Sequence, residues 1–548
     1  MCLDGYLLTL IVLLVWFAIL ILGWKTKFWE KIHFQVYGPF LMVKTVRGKQ
    51  FIDRIARRAK LWTVYGRISI GVTVGSMIAL MVLLIWQAFL VTTMSSSQAP
   101  SPEMLVGLPG INPLIPLWYG ILGLVVAVFV HEFAHGILSR VAKIKIESMG
   151  ILLLIVPMGA FVEPNEEQIR DTTRANRTRL YAAGPATNIF VAFICLVILV
   201  CVFAPSARPI SDGAVVVSTI PDSPAEKFGI SPWSEIINID AWPISNTSSL
   251  SHISFGTPGS PYNITILYNG NQSKVMVPGG VVLGQVYAGL PAHNAGLKPG
   301  MIIESLDDTI IHDLDDFHSV LENASHMTPV NISVLEHGIV NSTAGTYWFV
   351  KNQSITNITL TSKWLYYETN FPENNKEEYK NISYMGVTST VFGIGVQNPD
   401  YVILKYSKPF DGQDFVTSSL RLIAMPFMGI TPVEGPMAAL YEPTGALSIM
   451  PAWLYWILFN SFYWVFWINL MVGLTNALPA LPLDGGFVFR DVMKGFVVRA
   501  RRKRSGLDKI VAPPIGDKEL DRIVGVVTLL ISVFVLFLIV WTIVGPRI

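Results

Sequence analysis

Six stretches of this chain are apolar over the length that crosses a bilayer, about 20 residues each. They run approximately Tyr6–Trp24, Ile68–Thr92, Leu117–Leu138, Leu180–Phe203, Trp453–Leu474 and Ile523–Val544. Between them the polarity changes sharply. Lys25, Lys27, Lys31, Lys44, Arg47, Lys49, Arg54, Arg57, Arg58 and Lys60 fall between the first two, and Arg499-Ala500-Arg501-Arg502-Lys503-Arg504 between the last two. Basic residues collect on the cytoplasmic side of spans, so both loops read as cytoplasmic. Counting spans then puts Ser95–Pro116 outside, Lys143–Arg179 inside and the long Ala204–Pro451 segment outside. The glycosylation signals agree. Asn-x-Ser/Thr sequons start at Asn246, Asn263, Asn271, Asn323, Asn331, Asn341, Asn352, Asn357 and Asn381, all within the segment assigned to the outside. One more, at Asn176, falls on the cytoplasmic side and is expected to go unused.

Composition supports the same class. Of 548 residues 52% are hydrophobic and only 14% charged, too apolar for an ordinary soluble enzyme. The net charge of +2 comes with no nucleic-acid recognition motif, so no nucleic-acid partner is expected. Three cysteines, Cys2, Cys195 and Cys201, make neither a disulfide framework nor a thiolate zinc site. The first 24 residues lack a basic leader, so the first span is expected to be a retained anchor.

The outer segment repeats itself. Ser223-Pro224-Ala225-Glu226-Lys227-Phe228-Gly229-Ile230 matches Leu290-Pro291-Ala292-His293-Asn294-Ala295-Gly296-Leu297 at an offset of 67 residues. The same offset carries Ile236 and Asp240 onto Ile303 and Asp307. Each copy predicts a β-rich run, a short Pro-Ala helix ended by Gly, then another strand and a turn. The pattern resembles tandem PDZ-like domains, which implies binding of peptide termini or extended segments at a sheet edge. Tyr384-Met385-Gly386-Val387 is a candidate carboxylate-binding loop. The plain alternative is a pair of β domains that act as a spacer or steric filter.

The chemistry concentrates in the third span, at Val128-Phe129-Val130-His131-Glu132-Phe133-Ala134-His135-Gly136. Residues four apart share one helix face, so His131 and His135 can reach one ion. Glu132 can take a proton from water at that ion, the zinc-hydrolase arrangement. Ionisable groups in an apolar span are expensive and mark function; the bland alternative is a chance pentapeptide with satisfied polar groups. A catalytic zinc takes three protein ligands and keeps one position open. The best third candidate is Asp484, in Asn476-Ala477-Leu478-Pro479-Ala480-Leu481-Pro482-Leu483-Asp484-Gly485-Gly486. Pro479 and Pro482 break the helix, and Gly485-Gly486 permits a tight turn beside the ligand. Depth is consistent: His131 lies about 14 residues below Leu117, roughly 21 Å into a ~30 Å core.

Three stretches together resemble the site-2 protease family of intramembrane zinc metalloproteases: His131–Gly136, Ala182-Ala183-Gly184-Pro185-Ala186-Thr187-Asn188 and Asn476–Gly486. The resemblance implies His131, His135 and Asp484 as Zn2+ ligands, Glu132 as catalytic base, and Asn476 as a residue that holds the substrate backbone or the oxyanion. It implies Asn188 as a supporting polar residue. Gly150–Pro164, too short to span and broken twice, resembles the family's membrane-dipping β-hairpin, which could pair with an unwound substrate. The first two spans, their basic linker and the large outer domain lie outside the family's minimal core.

The expected architecture is therefore a polytopic α-helical membrane protein of about six spans with an inserted extracytoplasmic PDZ-like pair. Its divisions are a two-span anchor (1–116), the first half of the catalytic core (117–204), PDZ-like domain 1 (205–278), PDZ-like domain 2 with an extension (279–400), a connector (401–451) and the second half of the core (452–548). The expected activity is hydrolysis of a peptide bond in or near the transmembrane helix of single-span substrates in the lipid bilayer. One rival is a non-catalytic receptor or scaffold that binds peptides through its PDZ-like domains. Another is a prenylated-protein type of membrane peptidase, which would need a late-span Glu ligand. A third is a transporter, which would show paired repeats of spans.

Overall fold

Helix-forming apolar runs with no internal breaker become long helices, and in the computed structural model they lie where the hydropathy puts them. The structure describes residues 2–547 apart from 32–33, 39, 46–47, 94–100, 106, 108, 155, 252, 325–328, 343–344, 371–373, 412–413 and 505–516. The chain forms two compact units, Met1–Val202 with Ile423–Pro432 and Ile457–Ile548, and Phe203–Leu422 with Val433–Trp456.

The first unit opens with α1 (Cys2–Lys25), a strand pair β1 (Phe34–Tyr37) and β2 (Phe40–Thr45), and the short helix α2 (Lys49–Ala56). Then come α3 (Ala59–Leu90) and α4 (Leu117–Val141), the strands β3 (Ile146–Leu154) and β4 (Val156–Pro164), and α5 (Arg174–Ile198). Among the described residues five helices are long and apolar enough to cross a membrane: Ala59–Leu90, Leu117–Val141, Arg174–Ser206, Ala452–Ala477 and Glu519–Arg547. The sixth expected span, Tyr6–Trp24, falls within α1, whose side chains before Leu14 lie outside the described residues. The loop expected at Ser95–Pro116 lies partly outside the described residues.

Gly150–Pro164 does form a hairpin, but it is half of a larger sheet of order β1-β2-β3-β4. The basic linker that reads as a cytoplasmic loop supplies β1 and β2, and Leu41 to Thr45 pair with Leu153 to Met149. Its signal was a Gly38-Pro39 turn between two β-prone runs. Strand β4 is left as an edge. Helix α2 packs under α4: Ile52 is fully buried, Asp53 pairs with Arg140, and Trp62 Nε1 donates to Ile55 O at 2.9 Å.

The second unit is built on two sheets. The first contains β5 (Ala214–Thr219), β6 (Glu235–Ile239), β7 (Pro261–Tyr268) and β8 (Asn271–Pro278). The second contains β9 (Val281–Val286) and β10 (Ile302–Leu306), helix α6 (Leu314–Asn323), and the long hairpin β11 (Pro329–Ser342) and β12 (Gly345–Thr359). Two consecutive strands, β13 (Val387–Val391) and β14 (Ile394–Gln397), close different sheets. The orders are β8-β7-β6-β5-β14 and β12-β11-β10-β9-β13. Residues 394–397, grouped with the second copy in the sequence reading, thus belong to the first sheet. The 67-residue repeat is repeated in the hydrogen bonds. Ala225 and Ala292 donate to Phe392 O and Met385 O at 3.1 and 2.9 Å, and Ile220 and Tyr287 donate to Gly393 O and Gly386 O at 2.8 and 3.0 Å.

The first unit resumes in α7 (Ala452–Ala477), α8 (Asp484–Arg504) and α9 (Asp517–Val544). Helix α7 is central: Phe459, Tyr463 and Trp464 are fully buried, and a Cβ on Gly123 of α4 would stand 2.9 Å from Trp464 O. Such close approach through small residues is how helices pack in lipid. Helix α9 instead turns Leu529, Leu530, Val533, Leu536 and Phe537 outward, as a lipid-facing surface requires. The basic run before the last span reads as a loop but ends α8, an unbroken helix too polar to span; its side chains from residue 501 on lie outside the described residues.

Candidate active site

The spacing of His131 and His135 acts through helix geometry. On α4 the two rings lie 4.8 Å apart between centroids, both buried, with their Nε2 atoms 3.1 Å apart. The third group arrives from the far end of the chain. Helix α7 stops at Ala477, the Pro-rich turn reverses the chain, and α8 begins on Asp484. Its Oδ2 lies 2.9 Å from His131 Nε2 and 3.1 Å from His135 Nε2. Cβ atoms on Gly485 and Gly486 would stand 2.3 Å from Ala477 O and 2.7 Å from Ala480 C, so the turn is closed tightly enough to require both glycines.

Each imidazole is held from behind. His135 Nδ1 donates to Leu180 O at 2.8 Å, so in the neutral imidazole Nε2, which faces Asp484, is the nitrogen with a lone pair for a metal. His131 Nδ1 lies 3.3 Å from Nδ2 of Asn188, a fully buried residue whose Oδ1 has no partner. Exchanging the two amide atoms would put Oδ1 against the ring, where it would accept the Nδ1 proton and present His131 Nε2 to a metal. Both supports come from α5, which passes so close that a Cβ on Gly184 would stand 2.5 Å from His135 Nε2 and 2.6 Å from His131 Nε2. Helix α5 is in turn braced by α3, whose Thr73 hydroxyl donates to Ala182 O at 3.1 Å.

The donor set suits a divalent ion. Three ligands of a tetrahedral zinc at ~2.0–2.1 Å stand roughly 3.3 Å apart, so edges of 2.9, 3.1 and 3.1 Å need only a small expansion. One carboxylate and two imidazoles in a dry setting also leave negative charge that a cation balances. No other group of three or more His, Cys, Asp or Glu with this convergence occurs among the described residues.

Glu132 is tied to the sheet: the Val162 amide of β4 donates to its Oε2 at 3.1 Å. One carboxylate oxygen is thereby fixed and the other left for proton transfer. Asn476 is not joined to this cluster by any contact among the described residues; its Nδ2 donates to Val472 O of its own helix at 3.0 Å. Gly184, Leu180 O and the Val162 amide were not anticipated from sequence. Gly184 left a trace there inside the Ala182–Asn188 match, and Val162 inside the Gly150–Pro164 hairpin.

Residues 119–511 match the profile of peptidase family M50, an interval that holds all of these groups. A stretch of 166 residues, 30% of this chain, is 33% identical to the uncharacterized protein MJ0971 of Methanocaldococcus jannaschii. It spans 44% of that relative, less than half its length.

Proposed function

This chain belongs to peptidase family M50, the site-2 protease family of zinc metalloproteases, and on that premise we propose that it hydrolyses a peptide bond within or near the membrane-spanning segment of single-span proteins. The observation that carries this reading is the convergence of His131, His135 and Asp484 on one point, with Glu132 adjoining and both histidines on a helix apolar enough to span.

A zinc ion held by His131, His135 and Asp484 would supply a Lewis acid for the scissile carbonyl and lower the pKa of an attacking water. Glu132 takes the proton of that water as it adds to the carbonyl carbon. It returns the proton to the amide nitrogen as the C–N bond breaks. The Val162 amide keeps Glu132 oriented by binding Oε2 alone. Asn476 is assigned to the substrate backbone or the oxyanion. The free edge of β4 offers main-chain partners to a substrate that has lost its helical hydrogen bonds.

The same reading sets the sidedness. The site lies toward the cytoplasm, α1 is the sixth span, and the two-sheet unit is extracytoplasmic. The clustering of nine sequons in Asn246–Asn381, wholly inside that unit, supports this. Its PDZ-like copies bind peptide segments or exclude bulky substrates.

The test is cleavage of single-span reporters by purified wild type and Glu132→Gln in liposomes, with zinc measured in both. The expected result is cleavage inside the span by wild type alone, with equal zinc. Turnover by Glu132→Gln, or no zinc in either protein, would refute the assignment.

A further inference from the structure

Helix α8 begins on a metal ligand, yet nothing in the ligand cluster itself prevents α8 from sliding along α5. The contacts between these two helices form a ladder that leads to the site. Farthest out, Arg177 meets Asp491: Nη2 donates to Oδ1 at 2.7 Å and Nε donates to Oδ2 at 3.0 Å. The Thr178 hydroxyl lies 3.3 Å from the same Oδ2. One turn inward, Tyr181 stacks on Phe487 with centroids 4.6 Å apart and planes 14° from parallel. One turn further, Gly184 of α5 lies against the histidines that face Asp484, and Leu180 O bonds one of them. Asp491 follows Asp484 by seven residues and Arg177 precedes Gly184 by seven, two helical turns on each side.

Asp491 is only 5% exposed. A bidentate guanidinium–carboxylate pair fixes two atoms on each partner, and so fixes angle as well as distance. Apolar helix faces tolerate a slide; a pair of this kind does not, because a shift leaves the buried Asp491 carboxylate unpaired. We propose that the Arg177–Asp491 pair, with Thr178, is the register clamp that holds Asp484 at the metal, so that these residues are positioning residues for zinc binding though they touch neither the ion nor substrate. This rests on the metal-site reading above.

The experiment is zinc affinity of the full-length protein in detergent, by competition with a chelator, with melting temperature recorded alongside. Asp491→Asn is expected to weaken zinc binding by roughly 10- to 100-fold, the usual cost of losing an outer support of a ligand. Arg177→Lys, which cannot bind bidentately, and Thr178→Val, which disturbs no charge, are expected to weaken it less and in the same direction. These two carry the test if Asp491→Asn does not fold. A pair with a merely structural role would lower the melting temperature and leave zinc affinity unchanged, and that result overturns the proposal. Failure of wild type to bind zinc would instead overturn the metal-site reading on which it rests.

Discussion

Gly184→Ala is a single methyl added at the back of the site. In the present backbone it would stand 2.5 Å from His135 Nε2 and 2.6 Å from His131 Nε2 and Cε1. Non-bonded carbon contacts rest at about 3.5 Å, so the rings or the helix must give by roughly 0.9 Å. Metal–ligand distances tolerate only about 0.2 Å. The rings cannot retreat freely, because His135 is tied to Leu180 O and His131 lies against Asn188, both on the helix that carries the methyl. Overpacking of this kind costs about 1–3 kcal/mol, which as lost binding is a roughly 10- to 100-fold weaker zinc affinity. The zinc-free fold bears the same crowding, offset by the preference of about 1 kcal/mol for Ala over Gly inside a helix. The expected signature is therefore zinc and cleavage lost together with only a modest fall in the melting temperature of the zinc-free protein. It is read by chelator competition, reporter cleavage and thermal unfolding in the same detergent. Wild-type zinc affinity and turnover in Gly184→Ala would refute the placement of α5 against the ligand rings.

Two further outcomes follow from neighbouring contacts. Asn188→Ala removes the partner of His131 Nδ1 and is expected to weaken zinc binding by roughly 10- to 100-fold, checked by the same chelator competition. In the two-sheet unit, burial holds the His337 pKa below its ordinary value of 6.5, although its Nε2 donates to Gly300 O at 2.9 Å. The unfolded chain then binds a proton that the folded one refuses, so stability is complete above pH 6.5 and falls as pH drops below it toward the folded pKa. Denaturant melts of the whole protein followed in that unit should show this loss on acidification, and His337→Gln should flatten it.

How much was legible depended on the range of the interaction. The ligand pair was visible because an i, i+4 spacing is decided within one turn. Asp484 was visible because prolines and glycines mark a turn wherever they occur. Helix α8 was missed because a search for spans passes over an amphipathic segment ending in Arg499–Arg504. The strands β1 and β2 were missed because four to six residues between two spans look like linker until β3 is there to pair with them. The crossing of β14 into the first sheet was hidden for the same reason, since strand partners are chosen by packing and not by order in the chain.

By itself, then, the sequence determined which segments are apolar enough to span, which residues could ligate a metal, and that the outer segment is a duplicated β structure. These follow from local periodicity, composition and turn chemistry. Only the tertiary structure decided what surrounds these residues: the Leu180 carbonyl at His135, the Val162 amide at Glu132, the absent side chain of Gly184 against both rings, and the Arg177–Asp491 ion pair on the helix that begins with Asp484. Every residue but proline carries a carbonyl and an amide, and any glycine can allow close approach. Sequence therefore cannot single these groups out; packing does, by bringing α4, α5 and α8 together, with His135 and Asp484 meeting across 349 residues of chain.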